Sequence, residues 1–240
     1  MKSFMRSIIY FLIRFLPTGF VLPIVSGPLK GRKWIVGAAA GDGKGLSILI
    51  NKSEPDQVKW AVKYLSKGNV CFDIGANVGF YTLLFSQYTK HVYAFEPLAR
   101  NLRYLIKLTE INRLANVSIL PCAMSDRVGI GYFTEGVNHA EGKVDKNGRI
   151  PVLLTTCDQF IVESKITPDL LKIDVEGAEL GVLQGAKNLL ESSHPVILLS
   201  VHSDQLRTDC LAYLSDRGYK QFIPLNAEQF EKASEFAIYQ

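Results

Sequence analysis

One stretch, VCFDIGANVGFYT at Val70 to Thr82, constrains this fold more than any other. A short apolar run (Val70, Cys71, Phe72) meets an acid, Asp73. The chain then turns through Gly75 and Gly79 and enters an apolar, helix-like segment, Phe80 to Tyr88. A buried strand, a glycine turn and a helix N-terminus in that order build one side of a ligand crevice in open α/β sheets. Gly75 permits a tight turn, and Gly79 permits close packing of helix on strand. Glycine turns also occur in α/β sheets that bind nothing, so the turn alone does not establish a ligand.

The spacing downstream adds to it. A second strand, Val92 to Phe95, ends on Glu96 and Pro97, about 20 residues beyond the turn, where an acid can grip a ribose diol. Each charge-assisted bond of that kind contributes roughly 1.5–3 kcal/mol. The competing role for Glu96 is to cap the next helix, Asn101 to Asn112. A dinucleotide loop needs G-x-G-x-x-G so that amides crowd the pyrophosphate. Here the turn reads G-x-N-x-G, with Asn77 in place of the second glycine. That suits a ligand without phosphate, and the acid at Asp73 suits a cationic one.

A third strand, NVSILPCAMSD, leads to Ser125 and Asp126, where Asp126 meets a ligand or makes the turn in Ser-Asp-Arg-Val-Gly; both roles stay open. Gly129 to Phe133 and IPVLLTTCDQF read as added strands. Between them lies a polar loop, Thr134 to Gly148, with an exposed His139. The second signature is LLKIDVEGAELGVL: a buried strand, Leu170 to Ile173, ending at Asp174 and followed by Glu176 and Glu179. These acids lie on the crevice side of the sheet. They can line a reaction centre, hold a cation or cap the following helix. A carboxylate pair alone is weak evidence for a metal, and none is expected. A fifth strand, PVILLSVH, ends on His202, the side chain best suited to proton transfer near neutral pH. After a helix, Asp204 to Leu214, two closing strands read as a hairpin at an antiparallel edge.

Composition narrows the partners. Hydrophobic residues make up 48% of the 240 and charged residues 21%, which are globular values. The net charge of +4 is spread along the chain and argues against nucleic acid. Four cysteines without a C-x-x-C pair point to a reducing, cytoplasmic compartment and no zinc. At the N-terminus the apolar run Ile8 to Ile13 is broken by Arg14 and Pro17, short of the roughly 20 residues a spanning helix needs. Residues 1–16 therefore read as a peripheral membrane contact or as a packed helix. Residues 1–66, with a helix at Glu54 to Leu65, are expected to be an accessory segment, and 67–240 the ligand-binding domain.

FDIGANVGFYT, YAFEP, AMSD and LKIDVEGAE, in this order, resemble the FkbM-type methyltransferases. The resemblance runs from about Gly31 to the C-terminus. It implies a class I methyltransferase (Rossmann-like) α/β fold: a seven-stranded mixed sheet, its last strand antiparallel, with helices on both faces. It implies S-adenosyl-L-methionine (SAM) as cofactor and O-methylation of a hydroxyl on a sugar, glycan or natural-product acceptor. By motif, Asp73, Gly75, Ala76, Asn77 and Gly79 hold the methionine end of SAM. Glu96 with Pro97 holds the ribose, Ser125 with Asp126 the adenine, and Asp174 to Glu179 line the methyl-transfer side. His202 is the expected base, with Glu176 or Glu179 second. Family members often have an acid two residues before this histidine; here the residue is Ser200. Two other functions fit the same sheet: a nicotinamide-dependent oxidoreductase and a SAM-binding protein without catalysis.

Overall fold

In a computed structural model of the chain, residues 17–39, 45–135, 142–144 and 148–240 are described. His139 and the apolar segment 1–16 lie outside them. The N-terminal part gives a hairpin, β1 (Val21–Pro23) with β2 (Lys33–Ile35), a short helix α1 (Leu46–Leu49) and a helix α2 (Pro55–Tyr64). The signature stretch then forms strand β3 (Val70–Ile74) and helix α3 (Phe80–Tyr88), followed by β4 (His91–Phe95), α4 (Ala99–Asn112) and β5 (Val117–Leu120).

Beyond Pro121 the chain leaves the main sheet. Strands β6 (Ala123–Met124), β7 (Gly129–Glu135), β8 (Gly142–Val144) and β9 (Ile150–Thr155) form a second sheet in the order β6-β9-β7-β8. The run NVSILPCAMSD is thus two strands in two sheets, broken at a proline that cannot donate to a ladder. Helix α5 (Cys157–Ser164) leads back to strand β10 (Leu170–Ile173). Then come α6 (Glu179–Gln184), α7 (Lys187–Ser192), β11 (Val196–Ser200), α8 (Asp204–Ser215), β12 (Gln221–Pro224) and β13 (Glu235–Tyr239).

The main sheet has seven strands in the order β12-β13-β11-β10-β3-β4-β5. Five run parallel, from β5 across to β11, and the last strand, β13, runs antiparallel to both its neighbours. The closing hairpin is therefore no antiparallel edge: β13 inserts beside β11, and β12 takes the edge. Alternate residues of the central strands face opposite layers. Phe72, Ile74, Leu171 and Ile173 pack with Val182 of α6 and Leu214 of α8, while Cys71, Leu170 and Leu198 pack with Leu83 and Leu84 of α3.

The described part of the N-terminal segment has no core of its own. Trp34, Ile35, Leu46, Val58 and Trp60 belong to the same buried cluster as Cys71, Leu83 and Leu84. Strand β2 is also tied to α4, since Lys33 N donates to Asn112 Oδ1 at 2.8 Å and Asn112 Nδ2 donates to Lys33 O at 2.9 Å.

Candidate active site

The site is built at the carboxyl ends of β3, β4, β10 and β11. Strand β3 delivers Asp73 and breaks into a turn in which Gly75 (φ 81°), Asn77 (φ 50°) and Gly79 (φ 98°) are left-handed. The turn is held by the Gly75 and Ala76 amides, which both donate to Phe95 O at 3.0 Å. A Cβ on Gly75 would stand 1.9 Å from the Asp174 carbonyl oxygen. Only glycine lets this turn meet the end of β10, so this one residue joins the two acid motifs.

Asp73 is almost wholly buried, at 1% exposure, and accepts a 2.5 Å bond from Thr82 Oγ1. Burial pushes its carboxyl up to about 6, opposed by Thr82 and by Lys172. Glu96 is buried as well. Its Oε2 accepts from the Asn77 amide at 2.9 Å, and its Oε1 accepts from the Leu98 amide at 2.9 Å and from Asn101 Nδ2 at 3.2 Å. Burial raises this carboxyl too, against those hydrogen bonds. Glu96 thus serves the start of α4 and the glycine turn together, and both lie on the crevice wall with Pro97.

On the other side, β10 and β11 run parallel and adjacent, so Asp174, Glu176, Glu179 and His202 meet although they are far apart in sequence. His202 Nε2 lies 3.5 Å from Asp174 Oδ1 and 3.3 Å from Glu176 Oε2. Its Nδ1 bonds Glu179 Oε1 at 2.8 Å, and that same oxygen accepts from the Gly177 amide at 2.9 Å. Glu179 is fully buried, whereas the His202 side chain is 33% exposed. The Glu179 bond raises the imidazole pKa; burial works against it, and the Glu176 and Asp174 charges add to the rise. Asp174 and Glu176 line the crevice, and His202 stands against both. One donor atom from each of Asp174, Glu176 and His202 falls within 4.8 Å of the others, a spacing that a divalent cation could bridge.

Ser125 and Asp126 are not brought to the crevice wall, which takes Ala123 and Met124 from β6 instead. Asp126, its side chain 46% exposed, bonds Ser125 Oγ at 2.9 Å and Arg127 at 3.1 Å. Several polar residues at the site go unnoticed in the sequence. Lys172 is buried in mid-strand, with Nζ donating to Asp174 Oδ2 at 3.1 Å and Ser200 Oγ at 2.9 Å, 5.0 Å from the Tyr81 ring centre. A lysine inside the apolar run LLKI was the signal, because a buried ammonium must be paired. Glu54 and Gln57, whose side-chain oxygens both lie within hydrogen-bonding reach of the Tyr81 hydroxyl, give no such signal.

The sequence matches a family model described as "Methyltransferase FkbM domain" over residues 73–221. A curated relative is the hexuronic acid methyltransferase AglP of Haloferax volcanii, 29% identical over 189 residues, covering 76% of this chain and 72% of that protein. Among solved structures, the methyltransferase FkbM of Methylobacillus flagellatus KT superposes with a TM-score of 0.54 at 17% identity, over 85% of this chain. The match spans 56% of that longer chain. The precorrin-6y C5,15-methyltransferase of Geobacter metallireducens GS-15 gives 0.51 at 17% identity, over 79% of this chain and 89% of its own. At these identities the two structures speak for the fold alone.

Proposed function

Because this chain belongs to the FkbM methyltransferase domain family, we propose that it is an enzyme transferring the methyl group of S-adenosylmethionine to a hydroxyl of a sugar. The observation that carries this reading is the meeting of the Asp73–Gly79 turn, Glu96 and the Asp174–Glu176–His202 cluster around one crevice. The cofactor suits the wall. Among the described lining residues Lys172 is the one cation, and Asp174 already meets its charge. A pyrophosphate would find no counter-charge there, whereas a sulfonium and an ammonium find carboxylates. The relative from Haloferax volcanii, named for a hexuronic acid, supports a sugar as acceptor.

When bound, SAM supplies an already activated electrophilic methyl. The chain's own work is then to position the acceptor and take its proton. Orientation of this kind lowers a barrier by roughly 7–11 kcal/mol, and a base adds about 10²–10⁴-fold. His202 is that base. Glu179 accepts from Nδ1–H, which leaves Nε2 as the atom that takes the proton. Asp174 and Glu176, beside Nε2, stabilise the imidazolium that results. Glu179, buried behind the ring, is a positioning residue. Glu96 binds the ribose, and the turn through Gly75 and Asn77 binds the methionine end.

Calorimetry with SAM and with NAD tests the cofactor: SAM binds and NAD does not, and the reverse would overturn the reading. His202→Ala should then lower kcat at least about tenfold with SAM affinity retained. Unchanged turnover would remove His202 from the role. Activity should survive EDTA; loss on chelation, restored by Mg²⁺ or Mn²⁺, would turn the same three side chains into a metal site.

A further inference from the structure

Lys172 stands in the crevice wall between two apolar neighbours of β10, and it is 1% exposed. A buried ammonium is costly unless it is paired and hydrogen-bonded, so its partners show what it serves. Nζ donates to Asp174 Oδ2 at 3.1 Å and to Ser200 Oγ at 2.9 Å. The other oxygen of the same carboxylate, Asp174 Oδ1, lies 3.5 Å from His202 Nε2. Lys172 and His202 thus stand at the two oxygens of one carboxylate. The ammonium is itself located by three further strands and a helix. Ser200 lies on β11, two residues beyond Leu198, the register partner of Lys172. Asp73 is its register partner on β3; burial raises the Asp73 carboxyl, and Lys172 opposes the rise. Glu235 on β13 pairs in register with Ser200; burial and Glu54 raise its carboxyl, and Lys172 again opposes them. Tyr81 of α3 places its ring centre 5.0 Å from Nζ. Ser200 is held in turn by Gln57 Nε2 at 3.4 Å. An uncharged hydroxyl at position 200 holds the ammonium without neutralising it.

From this we propose that Lys172, seated on Ser200, is a positioning residue for methyl transfer: it fixes one oxygen of Asp174 so that the other faces His202 Nε2. The inference rests on His202 acting as the base. A carboxylate with one oxygen in a charge-assisted hydrogen bond cannot turn without breaking it. Its second oxygen is then already in place when Nε2 takes the proton of the acceptor hydroxyl. Small displacements of such groups are expensive in rate. An acid at position 200 would draw the ammonium toward itself and release Asp174.

The test is a double-mutant cycle on kcat at saturating SAM, with p-nitrophenyl hexosides and hexuronides as acceptors. Lys172→Met keeps the length of the side chain and removes its charge. It should lower kcat about tenfold or more in the wild-type background and less than about twofold when added to Asp174→Asn. A lysine that serves stability alone would lower the melting temperature and leave kcat in place. Unchanged kcat in Lys172→Met, or an equal loss in both backgrounds, overturns the inference. Should Lys172→Met fail to fold, position 200 decides. Ser200→Asp should lower kcat about tenfold, whereas Ser200→Thr, which keeps the hydroxyl, should stay within about threefold of the wild type. Equal kcat in those two variants overturns the inference. These failures, with His202→Ala still impaired, leave the base in place and remove Lys172 alone. Unchanged turnover in His202→Ala, or SAM binding without transfer to any glycoside of the panel, overturns the underlying reading and this inference with it.

Discussion

At the scale of single residues, the pair His202 and Glu179 sets the pH behaviour. The Glu179 hydrogen bond raises the imidazole above its ordinary 6.5. A base must be neutral, so kcat/KM should rise with pH through this elevated pKa. Glu179→Gln keeps an acceptor for Nδ1–H and removes the charge, so the rising limb should move to lower pH. A limb that stays in place in the variant would put the base elsewhere. The same bond has the opposite sign for stability. A histidine whose folded pKa is raised contributes stability below its unfolded pKa and loses it as pH rises through the folded value. The difference in urea midpoint between wild type and Glu179→Gln should therefore shrink as pH climbs past that point. The nearby lysine was legible in the sequence as an oddity: Lys172 interrupts an apolar strand. That its partners are Asp174 and Ser200 was not, because Ser200 stands on the neighbouring strand.

At the scale of elements, the β3–α3 turn is where substitution should be most costly, and its two glycines should differ. Both are left-handed, so each loses backbone freedom on gaining a Cβ. At Gly75 the new carbon meets a backbone carbonyl at 1.9 Å, which cannot retreat without moving β10. At Gly79 it meets the methyl ends of Leu105 and Leu108, at 2.6 and 3.0 Å, which can rotate. Gly75→Ala should therefore cost about 3 kcal/mol or more and Gly79→Ala distinctly less, read from urea denaturation. Gly75→Ala should also weaken SAM binding, since the turn and the end of β10 separate together. Equal costs at the two positions would show that close approach to Asp174 is not what the glycine provides. The strand-turn-helix order here was readable from periodicity and glycines alone. The third strand was not: Val117–Leu120 and Ala123–Met124 look continuous, and a proline with a change of pairing partner divides them.

At the scale of the whole molecule, the boundary expected near residue 66 meets a shared core. Among the described residues, ten large apolar side chains of the N-terminal segment (Ile24, Leu29, Trp34, Ile35, Leu46, Ile48, Leu49, Val58, Trp60 and Leu65) are buried in the cluster that covers α3. Each such burial contributes about 1.5–3 kcal/mol, so their sum rivals a typical net stability of about 5–15 kcal/mol. A chain beginning at Lys67 should therefore lack a cooperative melt and bind hydrophobic dye. A sharp thermal transition with SAM binding in that chain would make the segment a separate unit. The segment also contributes Ser53 and Glu54 to the crevice wall, so its removal should lower transfer as well as stability. Among the described residues no helix is long and apolar enough to cross a membrane.

By itself the sequence determined the parallel sheet, the order of its strands along the chain and the positions of Asp73, Glu96, Asp174 and His202 near strand ends. It could do so because strand runs, glycine turns and terminal acids are local patterns, written in consecutive residues. Only the tertiary structure decided that Glu179 stands behind His202, that Gly75 exists to admit the Asp174 carbonyl, and that Glu54 reaches the crevice through Tyr81. Those contacts join residues from 23 to 99 positions apart. They depend on which strands lie side by side, and strand adjacency leaves no mark on the spacing of residues along the chain.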